Sequence, residues 1–346
     1  MVISRAGGDR TVVDTDRATG FDGGMVDVVV VGAGVIGLTC ATRLQRAGAR
    51  VTVVTAQESG RTVSRIAAAV WYPTRTDADP RVLEWSRRTF VEFAEQAGRA
   101  VPGVVMRPTR MLLRGVAQPR PWWAPAVPDF RAVAPTDVPP GVTGEWRFTV
   151  PTVEMGPYLD WLVERVVAAG ARVLRRRVTR LADVVDLAPV VVNATGLAAG
   201  VLAADPAVHP ARGQVVLVEN PGLVTSVRDE QNPAGITYVH PRATDVVLGG
   251  TFDRDVWDTS VDDATGRAIR DRSVALVPEL AGARVLGQRV GLRPARNGGA
   301  RVEVDPVGLP GGRRLVHSYG HGGAGVTLSW GCADEVVRLC GWPVAG

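Results

Sequence analysis

Valine-rich apolar runs at residues 26–31, 51–54, 190–193 and 214–218 alternate with stretches of helical spacing, so strands and helices intermix along the chain. The first two runs flank VGAGVIGLTCATRLQRAGAR, which predicts strand, tight turn, amphipathic helix and second strand. Leu159, Leu162, Val163, Val166 and Val167 fall on one helical face. Between about 100 and 150 the text becomes rich in proline and tryptophan (RPWWAPAVPDF, TDVPPGVTGEWRF), which suits antiparallel strands and loops better than a doubly wound sheet. The chain returns to nucleotide-type segments near 190 and again near 315. A discontinuous α/β domain is therefore expected, with a second domain inserted in two pieces. The expected boundaries are 25–75, 151–205 and 287–346 for the Rossmann-like nucleotide domain and 76–150 with 206–286 for an antiparallel-sheet substrate domain. Residues 1–24 read as a flexible extension, matching neither a secretory signal nor an early strand.

Two glycine-rich stretches carry the candidate chemistry. In the first, Gly32, Gly34 and Gly37 form G-x-G-x-x-G in the context that gives the motif weight, after a valine strand and before a helix. A dinucleotide pyrophosphate meets bare backbone at such a helix N-terminus. An acidic residue to hold the ribose is missing at the end of the second strand, where Val54, Thr55, Ala56 and Gln57 stand. Glu58 is a candidate only if the loop bends back, and otherwise a solvated loop residue. The second stretch places Gly320, Gly322, Gly323 and Gly325 ahead of an apolar helical run, so that something flat or anionic approaches the main chain. One long cofactor lying across both loops accounts for the pair.

Composition narrows the function classes. All of the basic side chains counted as Lys+Arg are arginine, which excludes Schiff-base lysine chemistry, pyridoxal-phosphate amino-acid chemistry included. The net charge of +5 and the runs Arg175–Arg177 and Arg313–Arg314 come without interleaved aromatics, so no nucleic-acid partner is expected. Cys40, Cys332 and Cys340 are an odd set without metal-ligand spacing; neither disulfides nor a metal are expected. The apolar run at 28–42 is too short for a bilayer, and a cytoplasmic protein without membrane attachment is expected.

The late segment VHSYGHGGAGVTLSWGCA resembles the signature of the D-amino-acid oxidase family of flavoproteins. AAAVWYP at 67–73, EWSRRTF at 84–90, YLDWLVER at 158–165, VVNATG at 191–196, ARGQVV at 211–216, TYVHP at 237–241 followed by LGGTF, and GLRPAR at 291–296 extend the resemblance in order along the chain. It implies noncovalent FAD, with the flavin at the boundary between the two domains. Matched residue by residue, it assigns the cofactor to Gly32, Ala33, Gly34, Val35, Ile36 and Gly37, to Thr55, Ala67, Ala68 and Trp71, and to Asn193 and Gly196. The set closes with Arg293, Gly322, Gly323, Ala324, Gly325, Val326 and Thr327. Val326 and Thr327 are placed near the flavin pyrimidine, Thr195 beside Gly196 in a second nucleotide-facing turn, and Arg212, Gly213 and Gln214 in a strand crossing between domains.

For the substrate, the resemblance implies that Arg293 grips the α-carboxylate, Tyr238 adds a hydroxyl, and the Gly323 carbonyl receives the amine. The bare residues agree for Arg293, because a planar guanidinium beside proline and apolar neighbours suits a carboxylate clamp. An ion pair with a buried acid is the competing reading, and Tyr238 alone reads equally as core. His321 reads as a hydrogen-bonding spacer. The implied reaction is oxidative deamination of a D-amino acid by hydride transfer, giving a 2-oxo acid, ammonia and hydrogen peroxide, with no acid or base residue required. Oxygen and a small neutral or apolar D-amino acid are the expected partners, and a homodimer the expected association.

Two departures stand out. VRDEQNPAGIT lacks the second tyrosine of a lid, with Ala234 near that place. Arg228 is similar to a basic residue of D-aspartate oxidases, yet Phe252 follows GGT where that branch carries a second arginine. D-aspartate oxidation is thus the first alternative; a flavin binder without turnover and an NAD-dependent dehydrogenase are remoter ones.

Overall fold

The computed structural model describes residues 27–73, 79–116, 118–135 and 138–343, so the extension expected at 1–24 lies outside the described residues. The chain opens with β1 (Val28–Val31), α1 (Val35–Arg46) and β2 (Val51–Thr55), as the valine runs predict. Next come α2 (Arg81–Gly98), β3 (Val104–Arg114), β4 (Arg131–Val133), β5 (Val142–Val153), α3 (Met155–Ala168), β6 (Arg172–Arg175), β7 (Val190–Asn193) and the single turn α4 (Ala199–Leu202). The remainder forms β8 (Val208–Glu219), β9 (Ser226–Asp229), β10 (Thr237–Pro241), β11 (Asp245–Gly249), β12 (Asp253–Arg254), α5 (Asp263–Leu276), β13 (Val285–Arg296), β14 (Arg301–Val304), β15 (Arg314–Tyr319) and α6 (Gly325–Cys340).

These strands build two sheets. The first runs β14-β15-β7-β1-β2-β6, parallel except where β14 turns back on β15. Its central strands β1, β2 and β7 are buried on both faces, which is why they read as near-continuous valine rather than alternating. On one face Val28, Val30, Val53 and Val192 meet α1, α2, α3 and α6 through Leu38, Trp85, Leu159 and Trp330. On the other, Val29, Val31 and Val191 meet Leu181 and Val184.

The second sheet has nine strands in the order β12-β8-β11-β10-β9-β3-β5-β4, with β13 paired along β8. It is antiparallel as expected except between β3 and β9, whose register Thr109↔Ser226 and Met111↔Arg228 is parallel. One face packs α5 through Val216, Val218, Leu248 and Ile269. The opposite face looks toward the first sheet's glycine loops.

The domain limits drawn from sequence differ from these sheets at three points. The boundary at 287 falls inside β13, which pairs with β8 from Val285 to Arg296, so the second sheet continues to Arg296. β5 runs past 151 to Val153, and α2, expected within the substrate domain, packs on α6, where the Gly331 amide donates to Thr89 Oγ1 at 2.9 Å. β8, expected to cross between domains, lies wholly in the second sheet.

The two units are stitched together at their boundary. The segment after residue 66 adds an isolated bridge, Val70↔Thr152, flanked by bonds from Val153 N to Ala69 O at 2.7 Å and from Trp71 N to Pro151 O at 2.8 Å. On the other side Ala295 bridges His321, and Asp205 accepts from both Arg296 Nε and Tyr319 Oη at 2.8 Å.

Candidate active site

The first glycine motif divides its labour. Gly32 has φ of 118°, and a Cβ there would lie 2.8 Å from the Ala194 carbonyl carbon, so the turn after β1 presses against the chain leaving β7. A Cβ on Gly37 would sit 2.9 Å from the Gly32 carbonyl carbon, which fixes the close seating of α1 on β1. Gly34 would meet only Ser64 Oγ, at 3.1 Å, and Ser64 itself takes the Val35 amide at the helix N-terminus at 3.1 Å. The first turn of α1 carries no acidic side chain, leaving its positive end available to an anion. Ala33 and Val35 are buried beneath the motif and Ile36 is half-buried.

Thr55 closes β2 and donates to Gln57 O at 2.6 Å. Glu58 stays on the surface in an ion pair with Arg175 at 3.2 Å, the solvated-loop outcome. Buried Asn193 accepts from Thr195 Oγ1 at 2.7 Å and faces His317 Nδ1 at 3.3 Å, shaping the turn that leads to Gly196. His317 in turn meets Asp305 at 3.0 Å; burial lowers its pKa, with the Asp305 carboxylate opposing the shift.

The late loop lies beside these groups. Gly320 and Gly322 adopt φ of 80° and 56°, and Ala324, Val326 and Thr327 are buried around the start of α6 at Gly325. Thr327 Oγ1 takes the Tyr72 amide at 3.1 Å and lies 3.3 Å from Tyr72 O, so it positions residues 67–72. Ala67 packs on the first core, and Ala68 packs with Tyr238 against Val215, Leu217 and Val247. The Trp71 side chain lies in the core: the residue is 1% exposed, and its ring packs edge-on against Phe90 and Trp123 and donates to Ser86 O at 2.9 Å. The side chain is thus committed to the core, because a large flat ring in a polar-lined turn finds more apolar surface below it.

His321 Nε2 is buried without a partner among the described residues, and burial pushes its pKa down to about 4. Bare backbone at Gly34, a helix N-terminus with no acidic side chain in its first turn and an unmet buried nitrogen in the late loop together fit an extended dinucleotide. Ser64 joins the residues able to hold it; in the sequence its hydroxyl stands just ahead of AAAVWYP and carries no signal of its own.

Residues opposite one another in neighbouring strands share a sheet face. Arg293 stands opposite Ala211, two residues from Gly213 on β8; Val215 stands opposite Gly249, Gly249 opposite Tyr238, and Tyr238 opposite Arg228. Register therefore brings Arg293, Tyr238 and Arg228 to one face. The Tyr238 ring lies across Gly249 and Gly250, where a Cβ on Gly250 would be 2.7 Å from the hydroxyl. The next residue, Thr251, accepts from Arg293 Nη1 at 3.1 Å, with Ala211 O at 3.5 Å. Among the described residues Arg293 has no carboxylate partner and is held by backbone carbonyls, which favours the clamp over the ion-pair reading. Its guanidinium lies 5.4 Å from the Phe252 ring, and its Cδ is 3.6 Å from where a Gly323 Cβ would be, so Arg293, Tyr238 and Gly323 converge. Behind Tyr238, buried His240 stacks at 4.7 Å; burial, then the nearby Arg228, push its pKa well down.

Tyr72 and Arg228 complete the wall. The Arg228 guanidinium lies 4.1 Å from the Tyr72 ring centre. Arg212, expected at a crossing strand, instead ties down the loop after β12 through Asp258 O and Ser260 O at 3.0 and 2.6 Å, and Gln214 Nε2 donates to this loop's Asp262 O at 2.7 Å.

This pairing of a dinucleotide-type loop with a cationic sheet face fits a nucleotide-dependent oxidoreductase built on two sheets. A family model described as FAD dependent oxidoreductase matches residues 27–339, and the chain belongs to that family. It is similar to the D-amino-acid oxidase of Rubrobacter xylanophilus, 48% identical over 90% of this chain and 95% of that protein. The D-amino-acid oxidase of Streptomyces coelicolor is 44% identical over 90% of this chain and 96% of the other. Human D-aspartate oxidase is 34% identical over 90% of this chain and 94% of the other. Among solved structures, glycine oxidase from Geobacillus kaustophilus superposes with a TM-score of 0.73 at 21% identity, covering 92% of this chain and 96% of that one. That likeness concerns the fold. No helix among the described residues is long and apolar enough to cross a membrane.

Proposed function

We propose that this chain oxidatively deaminates D-amino acids to 2-oxo acids, ammonia and hydrogen peroxide. The observation that carries the reading is Arg293, a guanidinium held by backbone carbonyls with its charge unmatched by any described carboxylate, converging with Tyr238 and Gly323. Its fork takes the substrate α-carboxylate, the Tyr238 hydroxyl donates to the same group, and the Gly323 carbonyl accepts from the amine. Three fixed contacts orient the α-carbon; the substrate reacts with its amine neutral, the ammonium proton having been released to solvent, so the lone pair can assist loss of the α-hydrogen. Gly32 to Gly37, Ser64, Asn193 to Gly196 and Gly322 to Thr327 would hold FAD, which when bound supplies the two-electron acceptor and is reoxidised by oxygen. No side-chain acid or base is assigned to the step.

Neutral or apolar side chains suit the reading best, with Phe252 over Arg293. D-aspartate oxidation is the second reading, favoured by Arg228 on the same face. Association as a homodimer belongs to the proposal and is checked by sedimentation. The test of function is anaerobic mixing of the purified yellow protein with D- and L-alanine: the D enantiomer bleaches the flavin band and yields peroxide on aeration. Arg293→Ala weakens kcat/KM by about 2–5 kcal/mol, the range for stripping one partner from a buried charge pair, while flavin absorbance stays. No bleaching by any D-amino acid would refute the function, and unchanged kinetics in Arg293→Ala would refute the anchor.

A further inference from the structure

The wall formed by Arg228 is not a bare cation. Arg228 is 8% exposed, stands opposite Tyr238 on one side and Met111 on the other, and lies 6.0 Å from the Tyr238 ring centre. Its Nη2 donates to Glu230 Oε1 at 2.6 Å, and its Nε is buried without an acceptor among the described residues. Glu230 opens the connection from β9 to β10 and is 26% exposed at its side chain, so the carboxylate reaches back from the rim to the guanidinium. The connection itself is short and tied: Asn232 Oδ1 takes the Ala234 amide at 3.0 Å, and Asn232 Nδ2 donates to Thr237 Oγ1 at 3.0 Å.

Electrostatics gives this pair a consequence for substrate choice. With Arg293 gripping the α-carboxylate, a substrate side chain that extends past Tyr238 meets Arg228. A second substrate carboxylate arriving there must either displace Glu230 or sit beside it as a like charge, and both are unfavourable in a half-buried pocket. An uncharged side chain leaves the pair intact.

We propose that Glu230 is a specificity-determining residue: by occupying Arg228 it makes the pocket select against D-amino acids with acidic side chains, and its removal turns Arg228 into a subsite for a second carboxylate. The inference rests on the D-amino-acid reading above. It differs from that reading in naming a residue outside the substrate's α-carboxylate and amine contacts.

The test uses the FAD-loaded enzyme, wild type and Glu230→Gln, with Glu230→Ala as a second variant. Two quantities are compared: kcat/KM for D-aspartate against D-alanine, and the Kd of succinate against butyrate from perturbation of the bound-flavin spectrum. Succinate and butyrate have equal chain length and differ in ending on carboxylate or methyl. Wild type prefers D-alanine and butyrate. Glu230→Gln raises the acidic-to-neutral ratio about ten- to a hundredfold in both measurements, the scale of one charge-assisted hydrogen bond, and adding Arg228→Gln cancels the gain. The proposal is overturned if both ratios stay within about twofold of wild type, if the gain survives loss of Arg228, or if wild type already prefers D-aspartate. Should no D-amino acid be oxidised, the deamination reading fails while the succinate and butyrate constants still decide the role of Glu230.

Discussion

Replacing Gly213 by alanine isolates what holds the carboxylate anchor in place. Gly213 lies on β8 two residues from the register partner of Arg293, and a Cβ there would come closer than 3.0 Å to Nη1, Nη2 and Cζ of that side chain. Ordinary contact needs about 3.5 Å, so the guanidinium must retreat by roughly 1 Å. The obstructing atoms are the far end of a flexible side chain rather than backbone, so relief by rotation costs the fold about 1 kcal/mol or less. Function is less tolerant: a 1 Å misplacement of a positioning group costs about a hundredfold, or ~2.7 kcal/mol in kcat/KM. The assay is peroxide-coupled kinetics with D-alanine, alongside thermal unfolding and flavin absorbance. Because Gly213→Ala acts through Arg293, the double variant with Arg293→Ala is no slower than Arg293→Ala alone. Gly213→Ala kinetics within about threefold of wild type, or additive losses in the double variant, refute the reasoning.

Two further outcomes concern the cofactor loops. Gly37→Ala puts a methyl group against the Gly32 backbone, which cannot swing aside, so it costs about 1–3 kcal/mol of stability and depletes bound flavin, read by urea unfolding and by absorbance per protein; a fully yellow, equally stable variant contradicts the packing role of Gly37. His321 is neutral in the fold, its pKa pushed down to about 4, whereas the unfolded chain protonates it near its ordinary 6.5. The unfolded state then binds more protons between these values, so this contribution is complete at neutral pH and is lost as pH falls from 6.5 toward 4, by roughly 3 kcal/mol. Buried His240 and His317, both lowered, add in the same direction. Urea midpoints across that window fall less steeply in His321→Gln; identical slopes in the two proteins exclude His321 as a source.

What could be read from the chain was mostly local. The glycine motif between valine strands, the helix of α3 and the late loop with α6 are all written in contiguous residues, and each forms where expected. The chain text also named Arg293, Tyr238 and Gly323, though their convergence depends on the β13–β8–β11–β10 register, which no short segment encodes. Tyr72 and Ser64 escaped because their roles arise from Thr327 and from the Val35 amide, far along the sequence. The limit at 287 cuts β13 for a related reason: GLRPAR stands beside nucleotide-type residues in the sequence, yet its strand finds its partner in β8, about 80 residues earlier, because sheets pair non-locally. Trp71 sits amid residues that face the cofactor loops, yet burial of its ring overrides its neighbours.

The two backbone bridges at the boundary between the sheets govern how material enters and leaves. Val70 is bound to Thr152 on one side and Ala295 to His321 on the other, so a swing of one unit against the other has to turn about the line through these two points or break backbone bonds. Any wider opening disrupts those backbone bonds, whereas rotamer changes and small loop displacements leave them intact and are the less costly route for a small molecule.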